Sequence, residues 1–342
     1  MRVVRSLAVV AALATCSCAN PERGTLRPRL AFRIGADSTF TAARDITVDR
    51  AGNVFIFDYG SYLIRRYDSA GTLVATFGGS GTEPGRFGHL MAIRAHGDSL
   101  LALDAGSISV FDLSGNLRSR RPLADTVTCD LPRLRPDGRW AAACIVQATA
   151  EQTLSYRSVT GTEERRPASY PLGEVFPGVQ AGRDFFVNPT QARTYLYDFT
   201  PEGRLVWAAS DRLTVLVGRH RDGVDLMLFE AEATALPFPA DSIAALRERQ
   251  ARVPPPFFMN VPERYQLIQH LLVAESGDVW LYITTRERTG MLRLSAAGRE
   301  TGFFTLEAEF DPLSAHLTAA NGRLYFMVPS RQETAIYSVA LP

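Results

Sequence analysis

From Asp45 onward the chain alternates apolar and polar residues in short runs, most of them closed by a turn residue. The first unit reads DITVDRAG, NVFIFDYGS, YLIRRYDSAG, TLVATFGG, four segments with the two-residue period of antiparallel strands. The pattern restarts five more times, at LMAIRAHGD, DLPRLRPDG, TYLYDFTPEG, LIQHLLVAESG and LSAHLTAANG, so the sequence is a six-fold repeat. The sixth unit stops one strand short at the carboxyl end. An orphan segment ahead of the first unit, RLAFRIG (Arg29–Gly35), resembles the fourth segment TLVATFGG. An amino-terminal strand that completes the last unit closes the repeat into a ring and leaves no exposed sheet edge. The pattern therefore predicts an all-β, six-bladed β-propeller of four-stranded antiparallel blades spanning residues 29–342, closed by that strand.

The glycines agree with this count. First-turn glycines fall at Gly52, Gly97, Gly138, Gly203, Gly277 and Gly322. Second-turn glycines at Gly71, Gly115, Gly161, Gly223 and Gly298 follow their partners by 18 to 23 residues. The stretch FGGSGTEPGRF, Phe77 to Phe87, invites a second reading as a phosphate cradle. The chain contains no lysine, however, so a P-loop and Schiff-base chemistry are both excluded. The glycines instead suit the tight crossover from an outer strand to the next inner one. Asp45 to Phe87 resembles an NHL-repeat blade, with Asp58, Ile64, Tyr67, Asp68 and Gly71 at the motif positions and Ser61 and Leu63 departing from it. As a whole the chain resembles the six-bladed propeller lipoproteins of bacterial envelopes. That resemblance implies a propeller and no particular activity.

A net charge of +1 offers no electrostatic attraction to nucleic acid. The amino terminus carries a targeting signal: MRVVR is basic, and SLAVVAALA is apolar but far too short to span a bilayer. The following LATCSCANPERG resembles a bacterial lipobox, which implies a signal peptide over 1–18, lipidation at Cys18 and a short linker over 19–28. Cys16 and an ordinary secretory signal are the alternatives. The expected location is the cell envelope, on the periplasmic or surface side, with the membrane reached through the lipid alone.

Two connections between blades are long, GEVFPGVQAGRDFFVNPTQAR and the insertion over about 236–264. In the second, Asp241 or Ser242 caps an expected helix over Asp241–Gln250, and Pro254 to Pro256 end it. Phe257, Phe258 and Met259 follow and form a candidate binding site on the loop-rich rim. His89, His270 and His316 lie near the starts of inner strands in blades two, five and six, with Asp45 and Asp130 in comparable places. Three imidazoles at a channel mouth suit zinc, and in outline this resembles the peptidyl-hydroxyglycine lyases. The three are unevenly spaced, 8, 7 and 6 residues before their turn glycines, which favours hydrogen-bonded channel residues. His96 and His220 read as surface residues, and DRAGN and SAAGRE resemble calcium loops only loosely. Cys129 and Cys144 flank the RPDGR turn of blade three. If Arg135 and Gly138 close that turn, the two lie opposite each other for a cross-strand disulfide in an exported protein. A three-residue loop shifts the register by one, and two buried thiols are the alternative. Nucleophile-elbow, HExxH and helix-opening GxGxxG motifs are all missing from the sequence.

The sequence supports a lipid-anchored binding or scaffold module, acting without catalysis on an unidentified protein or small-molecule ligand. The rival is a metal-dependent propeller hydrolase or lyase acting on lactones or peptide-derived substrates. The lipobox makes one direct prediction. Cys18→Ser yields a soluble or unprocessed protein on membrane fractionation, whereas release by Cys16→Ser alone reassigns the anchor.

Overall fold

The computed structural model describes residues 21–35, 42–123, 129–135, 137–146, 151–158, 162–171, 186–188, 194–218, 225–252, 257–259, 264–330 and 332–342. Cys16, Cys18, His220, Gly161 and Gly223 lie outside the described residues. Six sheets form the blades of a propeller, and their strands follow the predicted units. Blade one is Ala43–Val48, Val54–Asp58, Leu63–Tyr67 and Leu73–Gly78, from axis to rim. The inner strands of blades two to six are Leu90–His96, Cys129–Leu134, Tyr195–Phe199, Ile268–Val273 and His316–Ala320.

Burial explains the order of the strands. Every residue of Val54–Asp58 is buried, whereas the outer strand Leu117–Pro122, with its three arginines, is mostly exposed. The apolar cores lie between blades, since each blade buries both faces against its neighbours. Phe55 and Phe57 pack with Ile93, Leu100 and Ala102 in the seam between blades one and two. Ile46, Val54 and Ile56 point the other way, toward Tyr325, Met327 and Ile336 of blade six. The two-residue period divides each second strand between two seams.

Closure occurs as the sequence predicts. Arg29–Gly35 pairs antiparallel with Glu333–Ala340 and supplies the fourth strand of blade six. Phe32 and Ile34 from this strand are buried in the seam with blade one, where the Phe32 ring lies 5.7 Å from that of Tyr67. A side chain on Gly71, at φ +86°, would come within 2.4 Å of Phe32. Gly115, at φ +92°, stands in the same relation to Phe77 one blade later, again at 2.4 Å. The closing strand thus packs as an ordinary fourth strand does, with its phenylalanine over the next blade's turn glycine.

The expected linker contains a further element. Glu22–Leu26 runs parallel to Glu300–Leu306 as a fifth strand on blade five. The two long connections also meet. Phe186–Asn188 of the first pairs in parallel with Phe257–Met259 of the second. The helix spans Ala240–Ala251, so Asp241 sits inside its first turn and does not cap it; Ile243 and Leu246 are half-buried. Within the described residues no helix is long and apolar enough to cross a membrane. The backbone register sets Cys129 directly opposite Cys144.

Closure by Arg29–Gly35 carries a stability consequence. Deleting residues 29–35 removes the burial of Phe32 and Ile34, about 4 kcal/mol from these two side chains, and opens a sheet edge. A large fall in the denaturation midpoint is expected. An unchanged midpoint means that the ring does not depend on this strand.

Candidate functional site

The inner strands of neighbouring blades are joined side by side through side chains. The Asp45 carboxylate receives the Ile93 amide of blade two at 3.0 Å and its own neighbour Ile46 at 2.9 Å. Thr47 accepts from Ala95 at 3.1 Å. Asp198 repeats the arrangement between blades four and five, taking Val273 at 2.9 Å and Phe199 at 2.9 Å. Asp45 is therefore a tie between blades. Burial pushes its pKa up, against the pull of Arg133, the two amides and Arg94.

Counting from the hairpin turns, the register arranges the inner strands in levels. Thr47, Arg94, Arg133, Asp198, Leu272 and Thr318 share one level, opposite Phe55, Leu101, Ala141, Val206, Trp280 and Tyr325. The next level holds Asp45, Ala92, Asp130, Leu196, His270 and His316. An axial cavity of about 630 Å³ opens on the face that carries the hairpin turns into the second strands. All six blades contribute to its wall, among them Arg50, Arg94, Thr200, Glu275 and Asn321, and Thr47, Arg94 and Thr318 are its deepest residues. This is the face opposite the long connections, so the cavity does not lie at the rim that the sequence singles out.

His270 and His316 stand side by side one level beyond the cavity. Both are held neutral, at about 4. Burial comes first for each; the neighbouring His316 and Arg133 add to it for His270, while the Pro312 carbonyl opposes. Arg44 and Arg133 add to it for His316. His270 Nε2 is buried without a hydrogen-bond partner. His96, at the mouth, is lowered by burial, Arg50 and Arg94.

His89 belongs elsewhere. Its Nδ1 lies 3.2 Å from the Tyr62 hydroxyl and its ring 5.6 Å from Tyr59, on the opposite face between blades one and two. Tyr62 adopts a φ of +56°, and burial, Tyr59 and Asp104 raise its hydroxyl pKa. The Arg44 guanidinium sits 4.7 Å over the Tyr59 ring. The histidines thus divide into an axial pair and a lateral third, and among the described residues no group of three or more His, Cys, Asp or Glu is close enough to hold a metal. Phe257–Met259 is fixed through its backbone to Phe186–Asn188. Sequence reasoning missed Arg94 and Arg133, because the level of an inner-strand residue depends on the length of its hairpin turn, which differs between blades two and three.

The depressed imidazoles make stability depend on pH. Between pH 6.5 and about 4 the unfolded chain holds protons on His270 and His316 that the folded chain does not, so stability falls as pH falls through this window. Denaturant midpoints should drop on acidification, and His270→Gln should flatten the slope by up to one proton. An unaltered slope in that variant excludes a buried neutral His270.

No protein-family model matches the chain, and no curated protein matches it in sequence. Solved structures do. A DUF4221-family member from Bacteroides vulgatus is 11% identical, covering 92% of this chain and 98% of its own, with a TM-score of 0.54. A candidate exported protein from Bacteroides fragilis is 9% identical, covering 94% and 99%, with a TM-score of 0.51. A virginiamycin B lyase from Staphylococcus aureus is 13% identical over 88% and 82%, with a TM-score of 0.46. What this chain shares with the two Bacteroides proteins is the propeller fold.

Proposed function

We propose that this protein is an exported, lipid-anchored binding module whose ligand enters the axial cavity. The observation that supports this most is the cavity itself, walled by inner-strand ends from all six blades. Its volume suits a small molecule, and its rigid wall mixes apolar Val48, Leu134 and Val273 with Arg94, Thr47 and Thr318. Export is supported by the amino-terminal sequence, and in this reading Cys129 and Cys144 form a disulfide across their shared register position.

A metal-dependent hydrolase or lyase is the second reading, favoured by one feature. Two neutral imidazoles stand in adjacent blades, one with a buried Nε2 free of hydrogen bonds. The surroundings fit a metal poorly. Arg133 bears on both imidazoles and Arg44 on one of them, so a dication placed there meets like charge. Zinc and calcium analysis of purified protein checks this reading directly.

The binding reading is tested at the mouth. Glu275 is exposed and lines the cavity, so Glu275→Trp narrows the entrance with little effect on folding. Native mass spectrometry of protein released gently from the envelope should show a small molecule on the parent and little on the variant. Equal retention by both, with loss in Phe257→Ala/Phe258→Ala, moves the site to the other rim.

A further inference from the structure

Two arginines without a hydrogen-bonded partner among the described residues, Arg50 and Arg94, line the cavity, and this bears on what the cavity takes. Among the described residues, Arg50, Arg94 and Arg133 make no hydrogen bond or ion pair. Arg50 is exposed at the mouth, where a lone guanidinium is ordinary. Arg94 and Arg133 are half-buried, at one level of the axis. Arg133 belongs to blade three, yet its charge is felt at Asp45 of blade one, His270 of blade five and His316 of blade six. It shares the level of Arg94 but is not among the residues that line the cavity.

The nearby carboxylates are already engaged. Asp45 and Asp198 each take two backbone amides. Asp49 is bound within its turn by the Ala51 and Asn53 amides and the Asn53 side chain. Glu275 is exposed at the mouth, and Asp311 lies near Tyr282. Asp130 shares the level of Asp45, but its side chain lies outside the described residues. His96, His270 and His316 contribute no charge near neutrality. A partly desolvated guanidinium without a partner is costly, and its planar fork matches a carboxylate or phosphate through two parallel hydrogen bonds.

We propose that the cavity binds the oxyanion group of a small ligand, a carboxylate or a phosphate, at Arg94, with Thr47 and Thr318 on its floor. This deepens the binding reading and rests on it. Thr47 accepts the Ala95 amide through its oxygen, which leaves its hydroxyl proton to donate to a ligand. The anion lies against Arg94, one level short of the two imidazoles, and the rest of the ligand extends toward the mouth past Phe199 and Val273.

Titration of the folded chain with inorganic phosphate and, separately, with succinate tests this, read by calorimetry and by the ring-proton NMR signals of His270 and His316. One of the two probes should bind saturably and shift both signals; which one does so separates a phosphate from a carboxylate ligand. Arg94→Gln should weaken that probe at least tenfold, and Arg118→Gln, on the exposed outer strand of blade two, should not. Should Arg94→Gln fail to fold, Thr318→Val on the cavity floor carries the same comparison. Silence toward both anions with a response to zinc chloride or the neutral probe glycerol overturns the oxyanion assignment and leaves an axial site standing. Silence toward all four probes overturns both.

Discussion

The structure depends on closing a ring of sheets that share no continuous hydrogen-bond ladder. Each blade is a complete sheet, and what holds neighbours together is apolar surface pressed between them, stitched at the axis by side chains such as Asp45 and Asp198. Such a ring is only as strong as its last seam. Here that seam, between blades six and one, contains Phe32 and Ile34 from the amino-terminal strand alongside Met327 and Ile336 from the carboxyl-terminal hairpin. Both ends of the chain are thereby held in one sheet, and opening the ring requires breaking that sheet. Glu22–Leu26 adds a second tie by crossing to blade five.

Ring closure also creates the functional geometry. Once six inner strands stand around one axis, residues distant in sequence share a level, and the level decides what they meet. Carboxylates that look catalytic in isolation are used up holding blades together. Arginines that look like ordinary surface charge come to share one level of the axis, half-buried and without a hydrogen-bonded partner among the described residues. The chemistry of the axis is what remains after the structural demands on it have been met.

This division explains what the sequence disclosed. The six units, the closing segment Arg29–Gly35 and the helix near Asp241 were legible, because alternation, turn glycines and prolines act locally. The Cys129–Cys144 register was reached for the wrong reason. Arg135 faces Arg139 rather than Gly138 across the turn, which alone would shift the pairing, and a bulge between Asp130 and Arg133 restores it. Glu22–Leu26 was hidden: ERGTL is short, mostly polar and held chiefly through its backbone, so it leaves no apolar signature. The pairing of Phe186–Asn188 with Phe257–Met259 joins two distant loops through the backbone and is invisible to any local pattern. The histidines show the limit most clearly. His270 and His316 stand at unequal distances from their turn glycines and yet share a level, because the hairpin turn of blade six is shorter than that of blade five. His89 has similar spacing but precedes its strand, and it meets Tyr59 and Tyr62 instead.

The central claim is that the axis, on the hairpin face, is where this protein meets its ligand. An experimental structure of the protein purified from its native source without exhaustive dialysis tests this most directly. The account predicts non-protein density in the cavity, in contact with Arg94 and Thr318. Ligand density against Phe257 and Phe258, with only solvent on the axis, would contradict it.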